Sequence, residues 1–171
     1  VEAGYTWVTD LGRFRGPHLG FSVNGALDQY SAAAANLLVG NAESLPVLES
    51  TARPLVLTAE QDVLVAVTGA PGAVRVDGIL AASWTPVSLR RGQTIEVGAS
   101  TRGVRRYLAV RGGFEAPMLL GSCAPDSMLQ FGHRLEDGSR VQERERTPPL
   151  RHPVFELPVM RFTAPAVSFD D

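Results

Sequence analysis

The sequence predicts a mainly β domain with one short helix in its N-terminal region. An alanine-rich run at residues 28–40 has the composition of a helix. After Asn41 the chain consists largely of short apolar runs separated by turn residues, as in strands. Asp77-Gly78, between two such runs, is the strongest hairpin signal in the chain. Many short strands at this spacing are typical of a barrel or a sandwich, and the pattern alone does not decide between the two.

The predicted helix spans residues 29–39. Asp28 can cap its first turn and Gly40 can end it, because Asp accepts hydrogen bonds from free helical N–H groups and glycine adopts the left-handed conformation. The four alanines at 32–35 favour a helix and suit packing against a sheet. Asn36 is a poor helix former. We expect its side chain to bond a neighbouring loop in preference to a ligand.

The strands follow in chain order. Residues 63–68 form a continuous apolar run, which is typical of a buried strand. Residues 74–76 and 79–81 flank Asp77-Gly78 and predict a hairpin, and residues 87–89 and 94–97 flank Arg91-Gly92 and predict a second strand pair. Residues 107–110 form a further strand that ends at Gly112-Gly113. Pro158 interrupts a late strand at 154–162 and places it at a sheet edge.

The chain of 171 residues is long enough to bury a core as one domain. We predict that this β domain occupies residues 1–145. The stretch around residues 143–153 is rich in Arg, Glu and Pro and has the composition of an exposed linker. We therefore expect residues 146–171 to be a linker and the start of an incomplete second region.

Composition excludes several classes of function. A net charge of −2 gives no reason to expect a nucleic-acid or membrane partner, and no apolar run approaches the roughly 20 residues that span a bilayer. Cys123 is the only cysteine, which fits a reducing cytoplasm. All 16 basic residues are arginine, so the chain offers no Schiff-base, phosphate-loop or biotin-carrying lysine. The three histidines lack the spacing of a metal site.

Charged residues concentrate in the glycine-rich stretch at residues 9–28. Asp10 and Arg13 flank Leu11-Gly12, and a turn there would pair them, either as a structural ion pair or as an anchor for a carboxylate or phosphate. Residue types alone do not separate the two roles. Asp28 lies at the start of the predicted helix, where free N–H groups attract anions. It would cap the helix or act as a base.

Two candidates lie on the strand that follows Gly103. Arg105 and Tyr107 are two residues apart, so both can project from one strand face. For Tyr107 a core position is the stronger interpretation, whereas a buried ion pair and a substrate anchor are equally favoured for Arg105. Glu49 ends an apolar run and needs a partner, for which Arg13 or Arg53 is the favoured interpretation. We expect Asp10, Arg13, Asp28 and Arg105 to line one polar cleft.

Several motifs carry a resemblance to a known family. They are V-T-D-L-G-R at 8–13, N-G-A-L-D at 24–28, S-A-A-A-A-N-L-L-V-G-N at 31–41, L-E-S-T at 48–51, G-V-R-R-Y-L-A-V-R-G-G at 103–113 and Gly121-Ser122. In this order they resemble the N-terminal half of the allophanate hydrolase subunit 2 family. That family also includes the C-type subunit of 5-oxoprolinase, and it is called the kinase-inhibitor antagonist family or the biotin-dependent carboxyltransferase-like family as well. Thr9, Asn24 and Cys123-Ala124-Pro125 depart from its pattern.

The resemblance implies a cyclophilin-like β-barrel and a subunit of a hetero-oligomeric, cytoplasmic enzyme that processes amides. The complex would open 5-oxoproline at the expense of ATP or act as allophanate hydrolase, with no cofactor on this chain alone. Its partner would resemble allophanate hydrolase subunit 1 or the B-type subunit of 5-oxoprolinase. Asp10, Arg13 and Asp28 would be catalytic, and Arg105, Asn36 and Tyr107 would bind substrate. A carboxyltransferase component of a urea carboxylase-like enzyme and a regulator of a kinase inhibitor are the alternatives.

Overall fold

Ten strands in a computed structural model, which describes residues 2–144, form two antiparallel sheets. The strands are β1 (Thr6–Thr9), β2 (Val47–Thr51), β3 (Leu55–Thr58), β4 (Val63–Gly69), β5 (Val74–Val76), β6 (Ile79–Ala81), β7 (Pro86–Leu89), β8 (Thr94–Val97), β9 (Arg105–Val110) and β10 (His133–Arg134). The six-stranded sheet has the order β10-β1-β2-β9-β4-β7, and the four-stranded sheet has the order β3-β8-β5-β6. The predicted mainly β class is confirmed. The described residues form no closed barrel, so the cyclophilin-like barrel is not confirmed.

The main core lies between the inner faces of the two sheets. Alternation along each strand decides which residues enter it. Leu48 of β2, Leu108 of β9 and Val67 of β4 lie side by side across the large sheet. They pack in one buried cluster with Leu55 and Ile95 of the small sheet. The neighbouring positions on β2, β9 and β4 therefore point to the outer face.

The single α-helix of residues 2–144, α1 (Gln29–Leu38), covers part of that outer face. Its small residues Ala32 and Ala35 allow close approach to Ala66 and Ala109 of the sheet. The hydroxyl of Thr68 also donates to the carbonyl of Ser31 at 2.6 Å. The predicted helix is confirmed, and its first turn is held directly against the centre of the sheet.

The turns of the structure test the predicted strand pairs. Asp77 and Gly78 have φ of 48° and 81°, so both central residues of the hairpin between β5 and β6 are left-handed, as predicted. The second predicted pair is wrong. β7 and β8 both form, but β7 pairs with β4 and β8 pairs with β3 and β5, because the turn at Arg91-Gly92 carries the chain from one sheet to the other. The predicted strand at 154–162 and the region from 146 onward lie outside the described residues.

A buried arginine closes one end of the space between the sheets. Arg106 is 3% exposed, and its guanidinium donates to the carbonyls of Ala73, Gly98 and Gly72 at 2.9, 2.8 and 3.1 Å. No carboxylate lies within ion-pair distance of it among residues 2–144. Burial accordingly lowers the pKa of Arg106. Arg106 joins β9 of the large sheet to the turns of the small sheet.

The glycine-rich segment between β1 and α1 folds back on itself. The amide of Arg13 donates to the carbonyl of Val23, and that of Ala26 donates to the carbonyl of Asp10. Glycine is required where the two arms meet. Gly25 has φ of 102°, and a Cβ there would lie 2.7 Å from the backbone of Leu11. This close approach places Asp28 at the start of the helix, over the sheet.

Candidate functional site

A partly exposed cluster of charged and polar side chains lies on the outer sheet face beside the start of α1. We call it the Glu49 cluster; it consists of Asp28, Glu49, Thr51, Arg105 and Tyr107. Glu49 and Thr51 lie on β2 directly opposite Tyr107 and Arg105 of β9. The side chains of Arg105 and Glu49 are 27% and 13% exposed. Adjacent strands therefore deliver a guanidinium, a carboxylate and a phenol to one small area that solvent reaches.

Glu49 is the acceptor at the centre of this cluster. Its Oε2 accepts from the Tyr107 hydroxyl at 2.8 Å and from the backbone N–H of Leu27 at 2.9 Å. Its Oε1 lies 3.2 Å from Nε of Arg105. Arg105 Nη1 donates to the hydroxyl of Thr51. Nη2 of Arg105 has no hydrogen-bond acceptor among residues 2–144, so it is a donor held in place and available to a ligand.

Asp28 caps the helix and connects it to Tyr107. Its carboxylate accepts from the N–H of Ser31 at 3.0 Å and from the Ser31 hydroxyl at 2.5 Å. Its own N–H donates to the Tyr107 oxygen at 2.8 Å. The predicted capping role is confirmed. Both carboxylate oxygens of Asp28 already hold donors, so the carboxylate stabilises the helix start.

Tyr107 stays a neutral hydrogen-bond donor across the physiological pH range. Burial raises the pKa of its hydroxyl far above the ordinary value, and the carboxylates of Glu49 and Asp28 raise it further. The backbone N–H of Asp28 acts in the opposite direction and does not outweigh them. The hydroxyl therefore fixes the orientation of the Glu49 carboxylate.

Asp10 belongs to a second, more deeply buried cluster. Its Oδ1 accepts from the Ser122 hydroxyl at 2.6 Å and from the N–H of Gly12 at 2.9 Å, and its Oδ2 accepts from the N–H of Cys123 at 2.9 Å. Asp10 is 5% exposed and Ser122 is fully buried. Burial first, and Asp10 second, raise the pKa of the Cys123 thiol, which makes it a poor nucleophile.

Arg13 is fully buried and holds the same loop from another side. Its guanidinium donates to the carbonyls of Leu119, Ser22 and Ala124 at 3.1, 3.4 and 2.8 Å. Nη1 also lies 3.7 Å from the Asp126 carboxylate. Asp10 and Arg13 form no ion pair with each other among the described residues, which corrects the predicted pairing. The turn at Gly12 instead sends the two side chains to different parts of the loop at 119–126.

Asn36 holds a loop, as its position inside the helix indicated. Its amide donates to the carbonyls of Glu43 and Leu45 at 3.1 and 2.8 Å. Its Oδ1 accepts from Asn41 at 2.9 Å, and Asn41 also donates to the carbonyl of Val110. Asn36 is fully buried, so these bonds use the side chain completely.

The structure thus brings together some predicted site residues and separates others. Arg105, Tyr107 and Asp28 share the Glu49 cluster, whereas the side chains of Asp10 and Arg13 bond a different set of partners. Sequence reasoning identified Glu49 as a carboxylate in need of a partner, but the partner is Arg105, not Arg13 or Arg53. The β2–β9 register decides this and has no local sequence signal.

Residues 2–144 offer neither a metal-binding group nor a membrane span. No set of three or more His, Cys, Asp or Glu residues in this part of the chain is arranged to hold a metal ion. No helix there has the length and apolar character needed to cross a membrane.

Comparison with known proteins identifies the family. Residues 19–166 match the carboxyltransferase domain, subdomain A and B, family. The chain is 38% identical to the C-type subunit of 5-oxoprolinase from Escherichia coli (strain K12) over 148 residues, which cover 82% of this chain and 47% of that protein. It is 34% identical to urea amidolyase of Saccharomyces cerevisiae over 77% of this chain and 7% of that one.

A solved structure supports the same relationship. The crystal structure of TTHA0988 matches with a TM-score of 0.80 at 36% identity, over 86% of this chain and 56% of that one. The chain spans about half the length of the curated 5-oxoprolinase subunit that it matches. On these matches, the chain belongs to the carboxyltransferase domain, subdomain A and B, family and is a homologue of the C-type subunit of 5-oxoprolinase.

Proposed function

We propose that this chain is part of a subunit of a hetero-oligomeric enzyme that opens or hydrolyses amides, either the C-type subunit of a 5-oxoprolinase or an allophanate hydrolase subunit 2. The observation that carries the proposal is the unused Nη2 of Arg105, held beside Glu49 and Tyr107 on a partly exposed surface. The relationship to the 5-oxoprolinase subunit supplies the substrate class.

In this proposal Arg105 binds the substrate. Attack on an amide places negative charge on its carbonyl oxygen, and a fixed guanidinium donor stabilises that charge. Glu49 and Thr51 hold the guanidinium in one orientation, and Tyr107 fixes Glu49 in turn. Preorganisation of this kind lowers the barrier because no donor has to reorient as the charge develops.

The other predicted site residues act through position. Asp28 holds the Tyr107 oxygen and the helix start, Asn36 holds the loop after α1, and Asp10 and Arg13 hold the segment that leads from β1 to Asp28. We assign them no contact with substrate, because their polar atoms are already bonded within the protein.

ATP and a partner subunit complete the proposed enzyme. The absence of lysine leaves this chain without the phosphate-binding residue of a phosphate loop, so we assign ATP to the complex and not to this chain. The proposed partner resembles the B-type subunit of 5-oxoprolinase or allophanate hydrolase subunit 1. The proposed location is the cytoplasm, in keeping with the single cysteine.

Reconstitution tests the proposal. The full-length protein is co-expressed with its candidate partner subunits, and phosphate release is measured with and without 5-oxoproline or allophanate. Arg105→Gln should lower amide-dependent turnover at least tenfold, about 1.4 kcal/mol of barrier. Arg102→Gln, at an exposed position three residues away, is the matched control and should leave it unchanged. Normal turnover in the Arg105→Gln complex would contradict the assigned role.

A carboxyltransferase role is the second candidate, because urea amidolyase is also a relative. In that case this chain would receive a carboxyl group from biotin carried on another chain, since it has no lysine for biotin. Avidin-sensitive carboxylation of urea, without turnover of 5-oxoproline or allophanate, would favour this candidate. Binding of a partner without any turnover would instead favour the regulator of a kinase inhibitor.

A further inference from the structure

An aromatic recess of about 490 Å³ lies beside β1, and it shares no residue with the Glu49 cluster. Three rings line it, those of Tyr5, Trp7 and Phe131, together with the turn at residues 125–132. Its volume falls within the range of small-molecule sites, roughly 300–1,000 Å³. The Tyr5 ring is 42% exposed, so a ligand in the recess could reach it from solvent.

The walls of the recess are fixed by packing. The Tyr5 and Trp7 rings meet edge to face with centroids 6.5 Å apart. Gly132, with φ of 131°, lies flat against the indole, and a Cβ there would come within 3.1 Å of Trp7 and 2.9 Å of Pro125. The recess therefore exists only because position 132 carries no side chain. A preformed recess of this kind binds with little loss of conformational entropy.

The charges around the recess disfavour a cationic ligand. The guanidinium carbon of Arg134 lies 4.9 Å from the centroid of the Tyr5 ring, and that of Arg13 lies 5.6 Å from the centroid of Phe131. Each of these rings already interacts with a cation, which would repel a second one. The Asp126 carboxylate is fully used, by the N–H groups of Met128 and Leu129 and by Asn24 and Arg13.

The rim of the recess offers hydrogen-bonding groups that the protein does not use. Among residues 2–144 the side chains of Ser127 and Gln130 have no hydrogen-bond partner, although both line the recess. Gln130 has φ of 50°, a conformation that non-glycine residues seldom adopt and that is concentrated at functional positions. Its amide presents a donor and an acceptor together, the pair that reads the N6 and N7 edge of adenine.

We propose that this recess is a binding site for a purine base, of the adenine type. The base would lie against the aromatic side chains of Tyr5, Trp7 and Phe131, and Gln130 would contact its polar edge. Stacking on aromatic rings suits a flat, uncharged heteroaromatic ring. The site does not depend on the enzyme function proposed above, because none of its residues belongs to the Glu49 cluster.

Calorimetric titration of the full-length protein with adenosine tests the proposal. We expect a dissociation constant of about 1 mM or tighter, weakened at least tenfold by Tyr5→Leu and by Gln130→Gly. Glycine is chosen at position 130 because it adopts φ of 50° without strain, so the fold is retained. Tyr30→Leu, at a tyrosine that is 77% exposed on α1, is the matched control and should leave binding unchanged.

Fluorescence locates the bound base. Trp7 and Trp84 are the two tryptophans of the chain, so Trp84→Phe leaves Trp7 as the single reporter. Adenosine should quench it with the same dissociation constant. Three results would overturn the proposal: no binding of adenosine at about 10 mM, binding that both recess variants leave unchanged, or tighter binding of tetramethylammonium than of adenosine.

Discussion

Replacing Arg13 by alanine should destabilise the fold strongly. The substitution leaves the carbonyls of Leu119, Ser22 and Ala124 and the carboxylate of Asp126 without their donor inside the protein. Removal of one partner from a buried charge pair costs about 3–5 kcal/mol, because the remaining charge is buried and unpaired. For a chain of this size each kcal/mol lowers the melting temperature by about 2–4 °C. The expected decrease is therefore roughly 6–20 °C.

Thermal unfolding followed by circular dichroism measures this decrease, and urea unfolding at 25 °C gives the free energy independently. Arg13→Lys keeps the charge but not the planar group that reaches three carbonyls, so it should recover only part of the loss. Arg15→Ala, at an exposed position two residues away, is the control and should change the melting temperature little. A melting temperature of Arg13→Ala within about 2 °C of the parent would refute the structural role. Loss of turnover in such a stable variant would return Arg13 to the list of substrate contacts.

Three further substitutions separate structure from chemistry. Tyr107→Phe removes the hydroxyl between Asp28 and Glu49 and should cost about 1–3 kcal/mol in urea unfolding, besides lowering the turnover of the complex. Asn36→Ala leaves the carbonyls of Glu43 and Leu45 unbonded and should lower the free energy of unfolding by about 2 kcal/mol without a change in KM. Cys123→Ser should keep turnover within a few-fold; since burial raises the pKa of the Cys123 thiol, the parent should also lose stability as pH rises above about 8.5, the value of an unfolded thiol, and the serine variant should lose less when melting is followed from pH 7 to 10. A thousandfold loss of turnover in Cys123→Ser would instead identify a nucleophile.

Local signals predicted the local structure of this chain. The alanine run with Asp28 before it and Gly40 after it gave the helix, and Asp77-Gly78 gave the hairpin, because each depends on residues a few positions apart. The β7–β8 pair was wrong for the same reason. Arg91-Gly92 indicates a turn, but whether the chain stays in its sheet depends on contacts with β4 and β3, which lie about 25 to 35 residues away in sequence.

The candidate site was predicted in part. The two-residue spacing of Arg105 and Tyr107 placed them on one face of β9, and the composition of residues 28–40 placed Asp28 at a helix start. Their meeting with Glu49 depends on the β2–β9 register, and the separation of Arg13 from Asp10 depends on a loop more than 100 residues further on. Neither relationship has a periodicity that a single sequence displays.

The buried guanidinium of Arg106 has a consequence for how this protein can change by mutation. Arg105, Arg106 and Tyr107 are consecutive, and their sides of the sheet alternate. A shift of β9 by one position would pull Arg106 away from its carbonyls and place Arg105 and Tyr107 against the aliphatic core. Insertions and deletions inside β9 should therefore abolish folding, whereas single substitutions at the outward positions can alter what the surface binds and leave the interior intact. New ligand preferences in this lineage would accumulate by point changes on alternate residues, under a strand length that selection keeps constant.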